Sequence, residues 1–146
     1  MKAVKKMKAS PEEFYDLMLN SAVYDVEQAT GKKVSVEEIK TGYTYRKNLT
    51  NKLGKEGSAI GTFTKIEKPY IYEMDFKTAR GHNKISYHIA KVDNQSIEVT
   101  YEEIYEPVDK RHDMNSKIMM FFYKKSTEKQ AKRRLDMMEQ HLQQRT

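Results

Sequence analysis

Between Tyr43 and Tyr105 the hydrophobic residues recur at every second position, and this pattern constrains the fold more than any other feature of the chain. Polar segments rich in Gly, Pro, Asn and Asp interrupt the pattern at intervals of about a dozen residues. Side chains two positions apart lie on one face of a strand, and short polar turns let neighbouring strands pair. The pattern therefore predicts an antiparallel meander of five strands, at residues 43–50, 58–66, 71–78, 84–92 and 96–105.

One face of this predicted sheet is apolar, because each of the last three segments places its large hydrophobic residues at alternate positions. These residues are Tyr72, Met74 and Phe76, then Ile85, Tyr87 and Ile89, and finally Ile97, Val99 and Tyr101. An apolar sheet face has to be covered by another element.

The segment before the meander predicts one further strand, at residues 3–9, and two helices. Ser10 and Glu13 form a capping-box pattern around Pro11, and the helical spacing that follows runs to Gly31, with a break expected near Asn20. A second capping-box pattern begins at residue 35 and predicts a short helix that ends before residue 42.

The cover for the apolar face is predicted to be one long C-terminal helix at residues 113–143, a stretch without Gly or Pro. Such a helix is about 45 Å long. Its later turns carry an apolar stripe, whereas Met120, Lys124 and Thr127 in its middle are mixed in character. The expected fold is thus a single α+β domain over residues 1–146, an antiparallel sheet of about six strands covered by this helix, with space left beneath the helix.

Composition excludes several classes of protein. The chain of 146 residues has no cysteine, which excludes disulfide scaffolds, cysteine-ligated zinc, iron–sulfur clusters and thiol nucleophiles. No stretch is long and apolar enough to span a membrane, and no apolar segment follows the basic start as in a signal peptide. We therefore expect a cytoplasmic protein.

The net charge of +6 lies entirely after residue 109, because residues 1–109 carry equal numbers of basic and acidic side chains. Its densest part is one helical segment, with Lys124, Lys125, Lys129, Lys132, Arg133 and Arg134. This segment is either a solvated helix flank or a surface for a protein or an anionic partner. Nucleic acid is not expected, because the aromatic residues of single-strand binders do not alternate with these basic residues.

Catalytic patterns are weak. The four histidines, His82, His88, His112 and His141, match no metal-ligand spacing, and His82 is expected in the turn at residues 80–83. Glu73 and Asp75 fall on the outer face, while Glu102 and Glu103 point to opposite faces, so neither pair resembles the paired carboxylates of glycosidases. Glu103 continues the inward register and is expected to be a paired carboxylate at the edge of the core. No metal, cofactor or enzymatic activity is predicted.

Tyrosine and methionine are more informative than these ionisable groups. A buried phenol combines apolar area with a hydroxyl that needs a partner, and methionine packs adaptably, as in sites for apolar ligands. Arg46 is a second candidate, as an anchor for an acidic head group if the sheet curves strongly. The predicted ligand-binding residues are Tyr45, Tyr72, Met74, Phe76, Tyr87, Ile89, Tyr101, Phe122 and Met138.

Several segments resemble a known superfamily: residues 9–14, the turn at 66–70, the run at 97–103 and the helix at 114–142. In these segments and in the order of elements the chain is similar to START-like proteins, also called Bet v 1-like or SRPBCC helix-grip proteins. Residues 24–31 and 122–126 further resemble a group of small bacterial proteins of unknown function within that superfamily. The resemblance implies a helix-grip fold, in which a curved antiparallel sheet wraps around the C-terminal helix and encloses a cavity for lipids, sterols or other hydrophobic molecules.

Two functions from different classes follow. The first is binding of a hydrophobic or amphipathic small molecule between the sheet and the C-terminal helix. The alternative is a non-enzymatic interaction protein that acts through the basic helix on a protein or an anionic surface.

Overall fold

The computed structural model describes residues 1–48, 57–108 and 128–144 with their side chains, and the backbone alone at residues 49–50, 56 and 113–127. Within these residues the chain forms six strands, two α-helices and one turn of 3₁₀ helix. In chain order they are β1 (Lys2–Lys8), α1 (Pro11–Thr30), the 3₁₀ turn (Val36–Glu38), β2 (Thr44–Thr50), β3 (Glu56–Glu67), β4 (Ile71–Thr78), β5 (Gly81–Lys91), β6 (Ser96–Pro107) and α2 (Asp113–Gln144).

All six strands belong to one antiparallel sheet with the order β1-β6-β5-β4-β3-β2. The predicted meander is confirmed, since β2 to β6 follow one another across the sheet. Strand β1 joins at the far edge, where Lys2 lies opposite Glu102 and Lys8 opposite Ser96. The chain then crosses from one edge of the sheet to the other through α1.

Helix α1 begins and ends as the sequence predicts. The Ser10 hydroxyl accepts from the Glu13 amide at 3.1 Å, and the Ser10 amide donates to the Glu13 carboxylate at 3.4 Å. Gly31, at a φ of 71°, adopts the left-handed conformation that closes the helix. The break expected near Asn20 is wrong, because α1 continues through this position.

The second predicted helix, from residue 35, is wrong in extent: only the 3₁₀ turn Val36–Glu38 forms. Ser35 makes no side-chain bond to the amides that follow it, so the capping box that would start an α-helix is absent. None of the residues of this turn is buried. Without a capping bond or a buried face, no interaction stabilises a helix longer than this turn of three residues.

The helices cover the inner face of the sheet in two regions. Helix α2 packs on β1, and α1 packs on β2 and β5. Lys5 of β1 ties the first pair together, because its ammonium group pairs with Asp136 and with Glu139 on α2. We call the densely buried residues around β1 and β6 the packed region: Met7, Phe14, Ile97, Val99 and Leu135, each 3% exposed or less.

Candidate ligand-binding site

One aromatic ring from each of five neighbouring strands forms a continuous row across the inner face of the sheet. We call Tyr45, Phe63, Tyr72, Tyr87 and Tyr101 the aromatic row. Successive ring centroids lie 6.1, 6.0, 5.9 and 4.9 Å apart, and most pairs are tilted or edge-on. Such pairs favour contact of ring edges with ring faces, so the row is cohesive without being close-packed like an aliphatic core.

A cavity of about 180 Å³ lies between this row and the helices. Helix α1 contributes Met18, Ser21, Ala22 and Asp25, and α2 contributes Met138. The sheet supplies the aromatic side of the wall: Tyr45, Phe63, Tyr72, Met74, Phe76 and Tyr87. The wall is thus mainly apolar, with a few polar atoms, as in sites for small molecules.

A polar cluster lies at the β2 side of the cavity. The Tyr45 hydroxyl donates to one carboxylate oxygen of Asp25 at 2.5 Å, and the Lys47 ammonium donates to the other at 2.6 Å. Tyr45 and Lys47 share a face of β2, so one carboxylate of α1 meets both. Gly61 on β3 makes room for the phenol, because a Cβ at this position would lie 2.6 Å from Tyr45 Cε1.

A second polar cluster lies at the β6 side. The Arg134 guanidinium donates to the Tyr101 hydroxyl at 2.8 Å, and this hydroxyl donates to Glu103 at 2.6 Å. The other Glu103 oxygen accepts from Asn83 at 2.7 Å. The guanidinium carbon also lies 5.5 Å from the centre of the Tyr101 ring and close to the Tyr87 hydroxyl. The positive charge of Arg134 on α2 is therefore hydrogen-bonded to Tyr101, the last residue of the aromatic row.

Burial raises the pKa of every tyrosine in the row. For Tyr72 and Tyr87 burial is the main cause, and Arg134 opposes it at Tyr87. For Tyr45 and Tyr101 the bonded carboxylates, Asp25 and Glu103, raise the pKa further. These phenols consequently stay protonated at neutral pH and offer hydrogen-bond donors to the interior.

The hydroxyl of Tyr72 stands apart from the other phenols. This residue is 6% exposed, and its hydroxyl donates to the thioether sulfur of Met74 at 3.4 Å. A thioether is a weak acceptor, and buried hydroxyls normally have a stronger partner. Tyr72 therefore presents a hydrogen-bonding group to the cavity that a bound molecule could satisfy.

The structure brings most of the predicted ligand-binding residues to this cavity: Tyr45, Tyr72, Met74, Phe76, Tyr87 and Met138. Tyr101 lies beside it, in the second polar cluster. Ile89 is buried in the core and does not line the cavity. Phe122, and the mixed segment of Met120, Lys124 and Thr127, lie outside the side chains that the structure describes.

Several residues of the site were missed by the sequence reasoning. Asp25, Ser21 and Met18 follow the helical spacing of α1 and so share its inner face, which was an available signal. The charge pattern groups Arg134 with a solvated flank or a partner surface, although it lies four positions before Met138. Arg46, proposed as an anchor for an acid, is exposed on the outer face of β2. Curvature does not turn it inward; Arg134 is the guanidinium that meets the row.

Among the described histidines, His82 and His88 each bond a different carboxylate. His88 bonds Glu73 at 2.9 Å on the outer face. His82 belongs to β5 and not to the preceding turn, because β5 begins at Gly81; it bonds Asp75 at 2.8 Å. His112 lies outside the described residues. In the part of the chain that the structure describes, no group of His, Asp and Glu is arranged to hold a metal ion.

A larger recess of about 570 Å³ lies on the outer face, and two ion pairs line it, while Oδ1 of Asp75 is buried without a hydrogen-bond partner among the described residues. Asp75 pairs with His82, and Lys84 pairs with Glu106 at 3.2 Å. Asp75 lies on the outer face, as predicted, but is only 16% exposed. Glu102 faces this recess whereas Glu103 faces inward, which confirms their predicted opposite orientation.

The basic face of α2 is divided. Lys129, Lys132 and Arg133 are exposed, and Lys124 and Lys125 lie outside the described side chains. Arg134 differs, because its guanidinium reaches Tyr101. Within the described residues neither helix has an apolar stretch of the length that a membrane crossing needs.

Solved structures share this architecture at low sequence identity. A protein from Arthrobacter aurescens has a TM-score of 0.61 at 15% identity, over 98% of this chain and 85% of its own. A protein from Thermus thermophilus has a TM-score of 0.59 at 12% identity, over 100% and 98%. Ara h 8.0201, a Bet v 1-type protein, has a TM-score of 0.57 at 6% identity, over 99% and 97%. At such identities the likeness shows a Bet v 1-like fold alone.

Sequence comparison gives a narrower relationship. No curated protein sequence matches the chain significantly. One family model matches residues 1–124, which include the whole sheet and α1. The chain therefore belongs to the family described as a domain of unknown function, DUF3284.

Proposed function

We propose that this protein binds a small hydrophobic or amphipathic molecule in the cavity between the aromatic row and the helices. The observation that carries the proposal is the cavity itself, about 180 Å³ of space walled mainly by rings and methionines. Protein interiors normally leave few voids larger than a water molecule, because each lost contact costs free energy. This space is partly open to solvent and leaves apolar wall atoms without packing partners, which a bound ligand would supply.

The size of the cavity limits the ligand. An apolar cavity of about 150 Å³ takes up benzene, whereas drug-sized ligands occupy about 300–1,000 Å³. The enclosed part of the ligand is thus about the size of one ring or one short alkyl chain. A sterol nucleus is too large for the space as it stands.

The lining suits a molecule that is not purely apolar. The buried hydroxyl of Tyr72 has only the sulfur of Met74 as its acceptor. At the β2 side of the cavity, Asp25 contributes a carboxylate and Tyr45 a phenol. A ligand oxygen near Tyr72 replaces the weak thioether acceptor by a better one. Met18, Met74 and Met138 adapt the wall to the shape of the apolar part.

The experiment uses octanol as a probe and the methionine methyl groups as reporters. In NMR spectra of protein labelled at the methionine methyls, octanol should shift the signals of Met18, Met74 and Met138, which line the cavity. Met7, which is 3% exposed in the packed region, is the internal control and should not respond. Native mass spectrometry of the freshly purified protein then tests whether a small molecule is already bound.

A cavity-filling variant makes the test specific. Ala22→Leu adds a side chain within the cavity wall and should abolish the octanol shifts while the protein stays folded. Ala90→Leu adds the same atoms at an exposed position of β5 and should leave them unchanged. Absence of octanol shifts in the unmodified protein, with no copurified molecule, would contradict the proposal.

A further inference from the structure

We infer that the ligand carries an acidic head group, a carboxylate or a phosphate, which Arg134 binds at the mouth of the aromatic cavity. This inference rests on the proposed function and narrows it to a chemical class. The carrying observation is the juxtaposition of the cavity with a second, cationic space on α2.

That second space is a groove of about 470 Å³ along one face of α2. Its lining residues are spaced three and four positions apart, so they share one side of the helix: Gln130, Arg133, Arg134, Met137, Met138 and His141. Met138 lines the groove and the cavity alike, so the two spaces meet at this side chain. A molecule with its apolar end in the cavity would extend past Met138 into the groove.

The groove is lined by positive charge without a carboxylate. Arg133 and Arg134 contribute two guanidinium groups, and His141 adds charge when protonated. The acidic residues Asp136 and Glu139 of the same helix are absent from the lining and pair with Lys5 on β1. The charge of the groove is therefore not neutralised by its own walls.

Arg134 is the residue best placed to bind an anion. Its Nη1 donates to Tyr101, but no carboxylate among the described side chains forms an ion pair with it. Glu103, the acid of this cluster, interacts electrostatically with Arg134, but its two oxygens accept from Tyr101 and Asn83. A guanidinium has five N–H donors in a planar fork that matches a carboxylate or phosphate. Arg134 lines the groove and is exposed as a residue, and its five donors exceed the two phenols, Tyr101 and Tyr87, that it bonds.

The contact with Tyr101 orients the guanidinium for this task. The hydrogen bond of 2.8 Å and the position 5.5 Å above the ring hold the fork beside the aromatic row. A long arginine side chain otherwise loses considerable rotamer freedom when it binds a ligand. Here part of that ordering is already present in the free protein.

The experiment compares four probes with the same tail: octanoate, octyl phosphate, octanol and octylamine. Calorimetric titration at low ionic strength should show both anions binding at least about tenfold more tightly than octanol, and octylamine more weakly than octanol. The tighter of the two anions identifies the head group. Added salt should weaken the anions and leave octanol nearly unchanged.

Variants assign the effect to one side chain. Arg134→Met keeps an apolar stem and should reduce octanoate binding to the level of octanol while octanol binding is preserved. Arg134→Lys should keep part of the preference for anions, since it retains the charge but loses the fork. Lys132→Met removes an exposed charge of the same helix that does not line the groove, and it should bind octanoate like the unmodified protein.

The results separate the two proposals. If octanol binds but the anions bind no more tightly, or if Arg134→Met leaves octanoate binding intact, the acidic head group is wrong and the proposed function stands. If none of the four probes binds, both are wrong. If Arg134→Met fails to fold, the ranking of the four probes on the unmodified protein and the behaviour of Arg134→Lys decide the matter.

Discussion

The packed region and the aromatic row lie against the inner face of the same sheet and are buried to a similar degree, yet of the two it is the row whose rings line the cavity of about 180 Å³. Met7, Ile97 and Val99 present aliphatic surface without polar atoms, and Leu135 of α2 belongs to the same core cluster. The row presents rigid rings, and four of its five members carry a hydroxyl. Rings that have to satisfy hydroxyls cannot also fill every gap.

The comparison indicates that the two parts of the core have different roles. The packed region stabilises the fold, and the aromatic row borders the proposed ligand site. Aliphatic residues stabilise the fold through close van der Waals contacts. These contacts do not require the directional geometry of hydrogen bonds. The tyrosines are held by Asp25, Glu103 and Arg134, so their positions are set by hydrogen bonds. A cavity can persist beside residues held in this way, because closing it would break those bonds.

Alkaline pH should produce the largest effect, chiefly through buried tyrosines. The ion pairs of Lys5, whose pKa is raised mainly by its hydrogen bond to Asp136, are also lost as its ammonium group deprotonates. Burial raises the pKa of Tyr72, Tyr87 and Tyr101 above 10.0 in the folded protein, and burial followed by Glu67 raises that of Tyr15 to about 12. Below pH 10 both the folded and unfolded states are protonated, so this stabilisation is fully present. As pH rises above 10 the unfolded state releases protons first, and the free energy of unfolding falls.

The measurement is urea unfolding at a series of pH values from neutral to above 10. Tyr72→Phe removes one of these groups, so the decline of unfolding free energy should become shallower by about 1.4 kcal/mol per pH unit. An unchanged decline in this variant would show that Tyr72 ionises equally in both states.

Removal of a phenylalanine ring should lower the free energy of unfolding more in the packed region than in the cavity wall. Phe14 is fully buried, so Phe14→Ala should lower the free energy of unfolding by about 3–5 kcal/mol. Phe76 is partly exposed and already borders empty space, so Phe76→Ala should cost less than about 2 kcal/mol. Chemical unfolding of both variants measures the difference, and equal losses would contradict the distinction between the two regions.

Much of this division could be predicted from the sequence. The alternating pattern predicted that Tyr72, Tyr87 and Val99 lie on the inner face. Side chains two positions apart share one face of a strand, so this assignment does not require the tertiary fold. The pairing of β1 with β6 was not predicted, because the local sequence of a strand does not indicate which distant strand it pairs with. Arg134 was missed for a similar reason: helical spacing places it at the border of the apolar stripe, and only the location of Tyr101 decides where its guanidinium points.

Two hydroxyls of the row should respond differently to removal. Tyr101→Phe leaves Glu103 and Arg134 without the hydroxyl that joins them, and should cost about 1.5–3 kcal/mol. Tyr72→Phe removes a hydroxyl bonded only to sulfur, and should change the free energy of unfolding by less than about 0.5 kcal/mol. The comparison is made by urea unfolding at neutral pH. A large loss in Tyr72→Phe would mean that its hydroxyl has a stronger partner than Met74.

The smallest effect concerns the glycine that makes room for the row. A Cβ at Gly61 would lie 2.6 Å from the Tyr45 ring and 3.2 Å from that of Phe76, so Gly61→Ala must displace at least one of them. Alanine in a strand gains about 0.5–1 kcal/mol over glycine, and overpacking costs about 1–3 kcal/mol, which leaves a net loss of about 1 kcal/mol.

Gly57→Ala on the same strand is the matched control. Nothing lies within 4 Å of its Cβ, so this substitution should be neutral or slightly stabilising by urea unfolding. Because Tyr45 is bonded to Asp25, displacement of its ring in Gly61→Ala should also alter the octanol-dependent shifts of Met18 and Met74. If Gly61→Ala matches Gly57→Ala in stability and in these shifts, the Tyr45 ring has room to move. The row would then be less rigidly placed than its hydrogen bonds indicate, and the cavity would depend on the helices more than on the sheet.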